Sequence, residues 1–202
     1  MASKIKVDTL ETANGSGTIA LSNQFSGMAA SSVPLLTATQ MPAGSVLQIV
    51  SSTLKSAVAI SSNETNTYVA SGLSAAITPS STSSKILVSV SMMASFGLGT
   101  MHFRIARGSD STICIGDAGL SLQLRDTVGI RTNGTPYAIE MNAVPMQFLD
   151  SPSTTSATTY SVMITLGNSY NSTMFLNRPN NQDNGSYAPR GTSTITLTEI
   201  KG

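Results

Sequence analysis

Thr78–Met93 reads TPSSTSSKILVSVSMM. A polar, turn-forming run from Pro79 to Ser84 gives way at Lys85 to an unbroken β-type run. Side chains alternate across a strand, so Ile86, Val88, Val90 and Met92 share one face. Leu87, Ser89 and Ser91 share the other. The pattern predicts a central strand of a β-sandwich.

The same texture extends both ways. Upstream, strands are expected over Val46–Ser51, Ala57–Ile60 and Thr67–Thr78, with Gly72 as a bulge or kink. Downstream, Phe96-Gly97-Leu98-Gly99 breaks the run. Met101–Arg107 then alternates again, with Met101, Phe103 and Ile105 opposite His102 and Arg104. Short strands are expected at Thr112–Ile115, Leu120–Leu124, Val128–Arg131, Tyr137–Asn142, Pro145–Leu149 and Thr173–Asn177. Tyr160–Leu166 and Ser193–Ile200 are stronger. No segment sustains helical periodicity. Many short strands between Gly, Pro and Asn turns predict an all-β, jelly-roll-like β-sandwich of about eight strands.

The N-terminal part differs. Lys4–Leu10 alternates, Asn14-Gly15-Ser16-Gly17 supplies a turn, and Thr18–Leu21 resumes. Two short strands are marginal alone in water, so this extended β-type arm needs a body to dock on. The predicted layout is an arm over 1–25, a linker over 26–44 and a sandwich head over 45–202.

Composition narrows function. Charged residues are 10% of the 202, with 11 Lys and Arg against 10 Asp and Glu. Ordinary soluble domains carry about 25%. Hydroxyls and amides must therefore dress the surface, and edge strands lack their usual charged guards, which favours subunit contacts. With net charge +1 and no basic run, nucleic-acid binding has no electrostatic footprint. No apolar run approaches the ~20 residues of a membrane span. MASKIKVDTLE lacks the apolar core of a secretory signal, so export by that route is not expected.

Catalytic chemistry is not expected, nor any metal or cofactor. His102 is the single histidine and Cys114 the single cysteine, which excludes the usual zinc sets and an intrachain disulfide. Cys114 reads as a small buried hydrophobe. Asp110, Asp117 and Asp126 read as turn acceptors. The loop after Tyr160–Leu166 gathers Tyr170, Asn171, Asn180, Asn181, Asp183, Tyr187 and Arg190. Tyrosine faces with amide and guanidinium hydrogen-bonders are candidate glycan contacts; the plainer reading is a hydrated loop rich in turn formers.

SKIKVDTLETANGSGTIALSNQFSG (Ser3–Gly27) and the junction Pro42-Ala43-Gly44-Ser45-Val46-Leu47-Gln48 resemble fibre-like proteins of tailed bacteriophages, including phages of cyanobacteria and marine bacteria. Ile77–Met92, Arg107–Gly119, Phe148–Val162 and Arg190–Gly202 are similar to the β-rich C-terminal domain of the same proteins. The resemblance implies a virion structural protein, usually homotrimeric, with a head at the host-facing tip. Attachment to other virion proteins would run through the arm, with Ile5, Val7, Leu10, Ile19, Leu21 and Phe25 as its apolar contacts. No long repetitive shaft lies between Phe25 and Ser45, so a short fibre is implied. Host-surface glycan is the expected external partner. A head, neck or capsid decoration binding only virion proteins is the alternative, and a polysaccharide-cleaving tailspike a third.

Overall fold

The computed structural model describes residues 37–61, 66–95, 99–117, 119–121, 123–132, 140–167, 173–181, 185–186 and 188–202. The chain divides into two compact units, Met1–Leu36 and Thr37–Gly202. The first unit, with the six apolar arm residues, lies outside the described residues.

The second unit is all-β. Its strands are β1 (Val46–Leu54), β2 (Val58–Ser61), β3 (Val69–Ile77), β4 (Lys85–Ser95) and β5 (Gly99–Arg107). β6 (Val128–Thr132), β7 (Asn142–Asp150), β8 (Thr158–Leu166), β9 (Thr173–Leu176) and β10 (Ser193–Ile200) follow. Every pairing is antiparallel. β1 pairs β10, β3 pairs β8, β4 pairs β7 and β5 pairs β6. Outer strands in sequence thus enclose inner ones, pair within pair. Contacts of β10 with β4 and of β8 with β5 assemble these pairs into two sheets, β1-β10-β4-β7 and β3-β8-β5-β6. That nesting is the jelly roll. β2 and β9 form an added pair that joins the first sheet at the end of β4.

The core is what the alternation predicts. Ile86, Val88, Val90 and Met92 of β4 are buried, as are Met101, Phe103 and Ile105 of β5. They meet Val162, Ile164, Ile195 and Leu197 in one cluster. Gly72 has φ +85° within a register shift between Ala70 and Ser74, so the bulge is real and suits glycine. Of the expected strand Tyr137–Asn142, residues 137–139 lie outside the described residues, Glu140 and Met141 are coil, and Asn142 begins β7. Three further expected strands differ. Thr112–Ile115 is not a strand, because Asp110 caps a turn there through Thr112 N (2.8 Å) and Thr112 Oγ1 (2.7 Å). The described part of Leu120–Leu124 is turn and coil, with Gln123 Oε1 closing on Leu120 N at 2.9 Å. Pro145–Leu149 is the middle of the longer β7. Pro145 is tolerated there because its missing N–H faces away from Ser91 on an edge strand.

Three buried polar knots fix the ends of the sandwich. Glu199 accepts from Gln48 Nε2 (2.6 Å), Ser80 N (2.7 Å) and Ser80 Oγ (2.7 Å). Ser84 Oγ is buried beside it, outside good hydrogen-bond geometry. The Pro79–Ser84 turn is therefore held down by a carboxylate. Asp150 takes Arg107 Nη1 on both oxygens (2.9 and 2.8 Å) and Tyr160 OH on Oδ2 (2.6 Å). Asn177, at φ +60°, donates to the Leu54 and Ser56 carbonyls (2.8 and 3.0 Å) and accepts from Ser193 Oγ (2.7 Å). Residues 37–44 belong to this unit too. Lys201 Nζ caps the Thr39 carbonyl at 2.8 Å and also reaches that of Met41.

Candidate functional site

The two sheets present very different outer faces. On β1-β10-β4-β7 the register sets three rows of four: Ile49, Thr198, Leu87, Leu149; then Ser51, Thr196, Ser89, Gln147; then Thr53, Thr194, Ser91, Pro145. None of these side chains is ionisable. Ile49 is 63% and Leu149 47% exposed. The Leu87, Ser89, Ser91 stretch of β4 is thus the middle of an uncharged, hydroxyl-rich patch, bounded by exposed Lys85 in the next row.

The outer face of β5 carries the titratable cluster. Alternation turns Thr100, His102 and Arg104 away from the core. The long β5–β6 connection, residues 108–127, folds back and brings Asp126 onto them. Thr127 fixes that return. Its N–H donates to the Phe103 carbonyl (2.9 Å), and its Oγ1 accepts from Ile105 N (3.1 Å) and donates to the Cys114 carbonyl (2.5 Å). Cys114 is half-buried against the core and carries no other assigned role.

Asp126 is the hub. Its Oδ2 accepts from His102 Nδ1 at 2.5 Å, and its Oδ1 accepts from the Tyr68 hydroxyl. A carboxylate only accepts, so the Nδ1 proton points at Asp126. The Arg104 guanidinium stacks 3.7 Å over the Tyr68 ring, and Arg104 Nε donates to the Arg125 carbonyl at 2.7 Å. Burial first, then the Asp126 hydrogen bond, pushes the Tyr68 hydroxyl far above the ordinary phenol value. It stays a donor at every physiological pH. His102 Nε2 has no hydrogen-bond partner among the described residues. It lies against Gly167, where any Cβ would run into it.

Beside this cluster opens a cleft of about 520 Å³ lined by Thr100, His102, Asp117, Gln123, Arg125 and Asp126, with backbone at Gly116, Gly119 and Gly167. The arrangement holds an oriented imidazole, a guanidinium, an amide and carboxylates in one hollow, with Leu124 also in its wall. It offers hydrogen bonds of both senses. Among the described residues no hydroxyl or thiol nucleophile is held on Nε2, and none of them completes a Ser-His-acid relay.

Little of this cleft follows from the loop singled out in the sequence. Of that loop, Tyr170, Asn171, Asp183 and Tyr187 lie outside the described residues. Asn180 and Asn181 are half-buried and Arg190 is exposed. The loop is not simply hydrated. Asn177 and Arg178 are buried, and Arg178 stacks 3.9 Å over Phe175. Asp110 is the turn acceptor expected of it, but Asp126 is not. It organises His102 and Tyr68 instead. Only the outward phase of His102 was readable beforehand. Among the described residues no group of three His, Cys, Asp or Glu is placed to hold a metal ion. No family model matches the chain, and no curated protein matches it.

Proposed function

We propose that this chain is a structural protein of a bacteriophage virion. In this reading it is a short, fibre-like homotrimer, attached through the N-terminal arm over 1–25, whose sandwich contributes to host-surface recognition. The observation that carries the reading is the uncharged middle of the outer face of β1-β10-β4-β7, three rows bounded by Lys85 at the start of β4. A soluble domain facing water on that side would ordinarily scatter Lys and Glu across it. Three rows without a charge suit a face that packs on a copy of itself, where like charges would repel. β1 adds to this. It lies at the edge of its sheet, carries no charged residue, and leaves Val46 51% exposed. The resemblance of Ser3–Gly27 and of the downstream β motifs to phage fibre-like proteins supports the same reading.

Light scattering on the recombinant chain at micromolar concentration tests it. The expected mass is three times that of the 20.9 kDa chain. Ser89→Lys combined with Thr196→Lys is expected to give a folded single chain. A wild-type protein that runs as a stable monomer would sink the trimer. Soluble protein that assembles but neither binds host cells nor blocks infection would make it a decoration of the particle, not an adhesin.

A further inference from the structure

We infer that the cleft beside β5 is a binding site for a neutral sugar unit. The inference deepens the proposed surface recognition and rests on that reading for its biological meaning, while its chemistry stands on the cleft alone. The donors and acceptors left over after internal bonding define the ligand. Gln123 spends Oε1 on Leu120 N and keeps its NH2 as a donor. Arg125 spends Nε on the Gly116 carbonyl at 2.8 Å and keeps its terminal nitrogens. Asp117, exposed in the wall, offers carboxylate oxygens, and Thr100 a hydroxyl.

His102 Nε2 is the discriminating atom. Asp126 fixes the ring, so Nε2 cannot turn away. It offers a lone pair when the ring is neutral and an N–H when the ring is charged. A hydroxyl, which both donates and accepts, satisfies either form; an ammonium or a carboxylate satisfies only one. The formal charges in the wall nearly cancel. Asp117 and Arg125 both line the cleft, and Asp126 is compensated by Arg104 Nε at 3.9 Å. A charged ligand therefore gains no net attraction, whereas vicinal hydroxyls find donors and acceptors on every side. Gly116 leaves backbone bare, with nothing within 4 Å of where a Cβ would stand, so a ring can approach closely there. About 520 Å³ lies within the ~300–1,000 Å³ usual for small-molecule sites.

The test titrates the full chain by NMR with glucose, galactose, mannose and N-acetylglucosamine. Glucuronic acid and inorganic phosphate serve as charged probes. At least one neutral sugar is expected to saturate with a dissociation constant of roughly 1–10 mM. Shifts should centre on the Gln123 side-chain amide and the His102 ring. His102→Asn keeps a donor at the Nδ1 position for Asp126 but deletes the Nε2 atom. It should weaken binding roughly tenfold with an unchanged melting temperature. Asp117→Ala, whose side chain makes no described hydrogen bond, is the second variant and should act likewise. Failure of every neutral sugar to saturate, tighter binding of either charged probe, or undiminished binding by both variants overturns the inference. Trimer mass and host-cell binding are measured on the same samples. Cell binding that persists undiminished in His102→Asn removes this cleft and leaves the wider reading standing.

Discussion

Asp150 and Glu199 stand in one register row of the inner face, one strand to either side of Ile86 on β4. Two inter-strand spacings keep the carboxyl groups' strands about 10 Å apart. They are buried by opposite means. Asp150 is matched by a guanidinium and a phenol, whereas no cation hydrogen-bonds Glu199 among the described residues. The two ends of the row therefore respond differently to pH and to mutation.

Glu199 governs acid stability. Burial alone would raise its carboxyl, but contacts with Ser84, Ser80 and Gln48 outweigh burial and hold it below the ordinary carboxylate value. A lowered folded value gives stability that is present above the unfolded value, about 4.3, and lost as pH falls through the folded one. Glu199→Gln should therefore flatten the decline in melting temperature below about pH 4. Glu199→Ala should cost roughly 2–4 kcal/mol at neutral pH, because Ser80 and Gln48 lose their acceptor. A Glu199→Gln pH curve parallel to wild type would refute the account.

Tyr160 governs the alkaline side. Burial first, and then the Asp150 hydrogen bond, raises its hydroxyl well above the ordinary value. A raised folded value gives stability fully present below the unfolded value, about 10. That stability is lost as pH rises beyond it towards the folded value. Tyr160→Phe should cost about 1–2 kcal/mol at pH 7. It should also lose less stability than wild type above about pH 10 in urea denaturation. Equal alkaline slopes for the two proteins would count against the Tyr160–Asp150 coupling.

Asn177 is a single amide tying the ends of β1, β9 and β10. Asn177→Ala strands the Leu54 and Ser56 carbonyls and the Ser193 hydroxyl, and it places a Cβ residue with no local hydrogen bond at positive φ. The expected cost is about 3 kcal/mol. Asn177→Gly relieves only the backbone part and should recover under half of it. A recovery close to wild type would show that the φ angle, not the amide, is what matters there.

Gly167 is predicted to hold His102 in place by leaving room for it. Gly167→Ala puts a methyl where Nε2 lies, and the ring must leave Asp126 or push β8's end away. The His102 ring resonances should move, with a loss of roughly 1 kcal/mol. Unchanged resonances would mean that the ring does not sit against Gly167 in solution.

Much of the sandwich was legible because its strands are half-buried. Alternation gives away β4, β5, β8 and β10 through pairs such as Val88 with Leu87 and Ile195 with Thr194. Gly72 declared its bulge through the residue type itself. Thr112–Ile115 and Leu120–Leu124 misled because apolar residues there pack individually against the core or line a turn, with no ladder to enforce a period. The neutral face could be read on β4 alone. Its continuation onto β1, β10 and β7 depends on register, which a sequence does not print. The cleft was least legible. His102, Asp126 and Tyr68 meet only because residues 108–127 double back, and a side chain on a loop carries no phase to announce its partner.

The nested pairing has a consequence for how the molecule is made. Ser51 on β1 bonds to the Ile195 carbonyl on β10, 144 residues later. At about 5–20 residues per second, the ribosome leaves β1 without its partner for roughly 7–30 s. Closure is therefore among the last folding events, in a topology whose distant contacts are slow to form. During that interval β1, with Val46 and Ile49 uncovered, is open to the β10 of a sister chain on the same messenger. Co-synthesis would bring copies together at a strand that lies at the edge of its sheet and carries no charged residue.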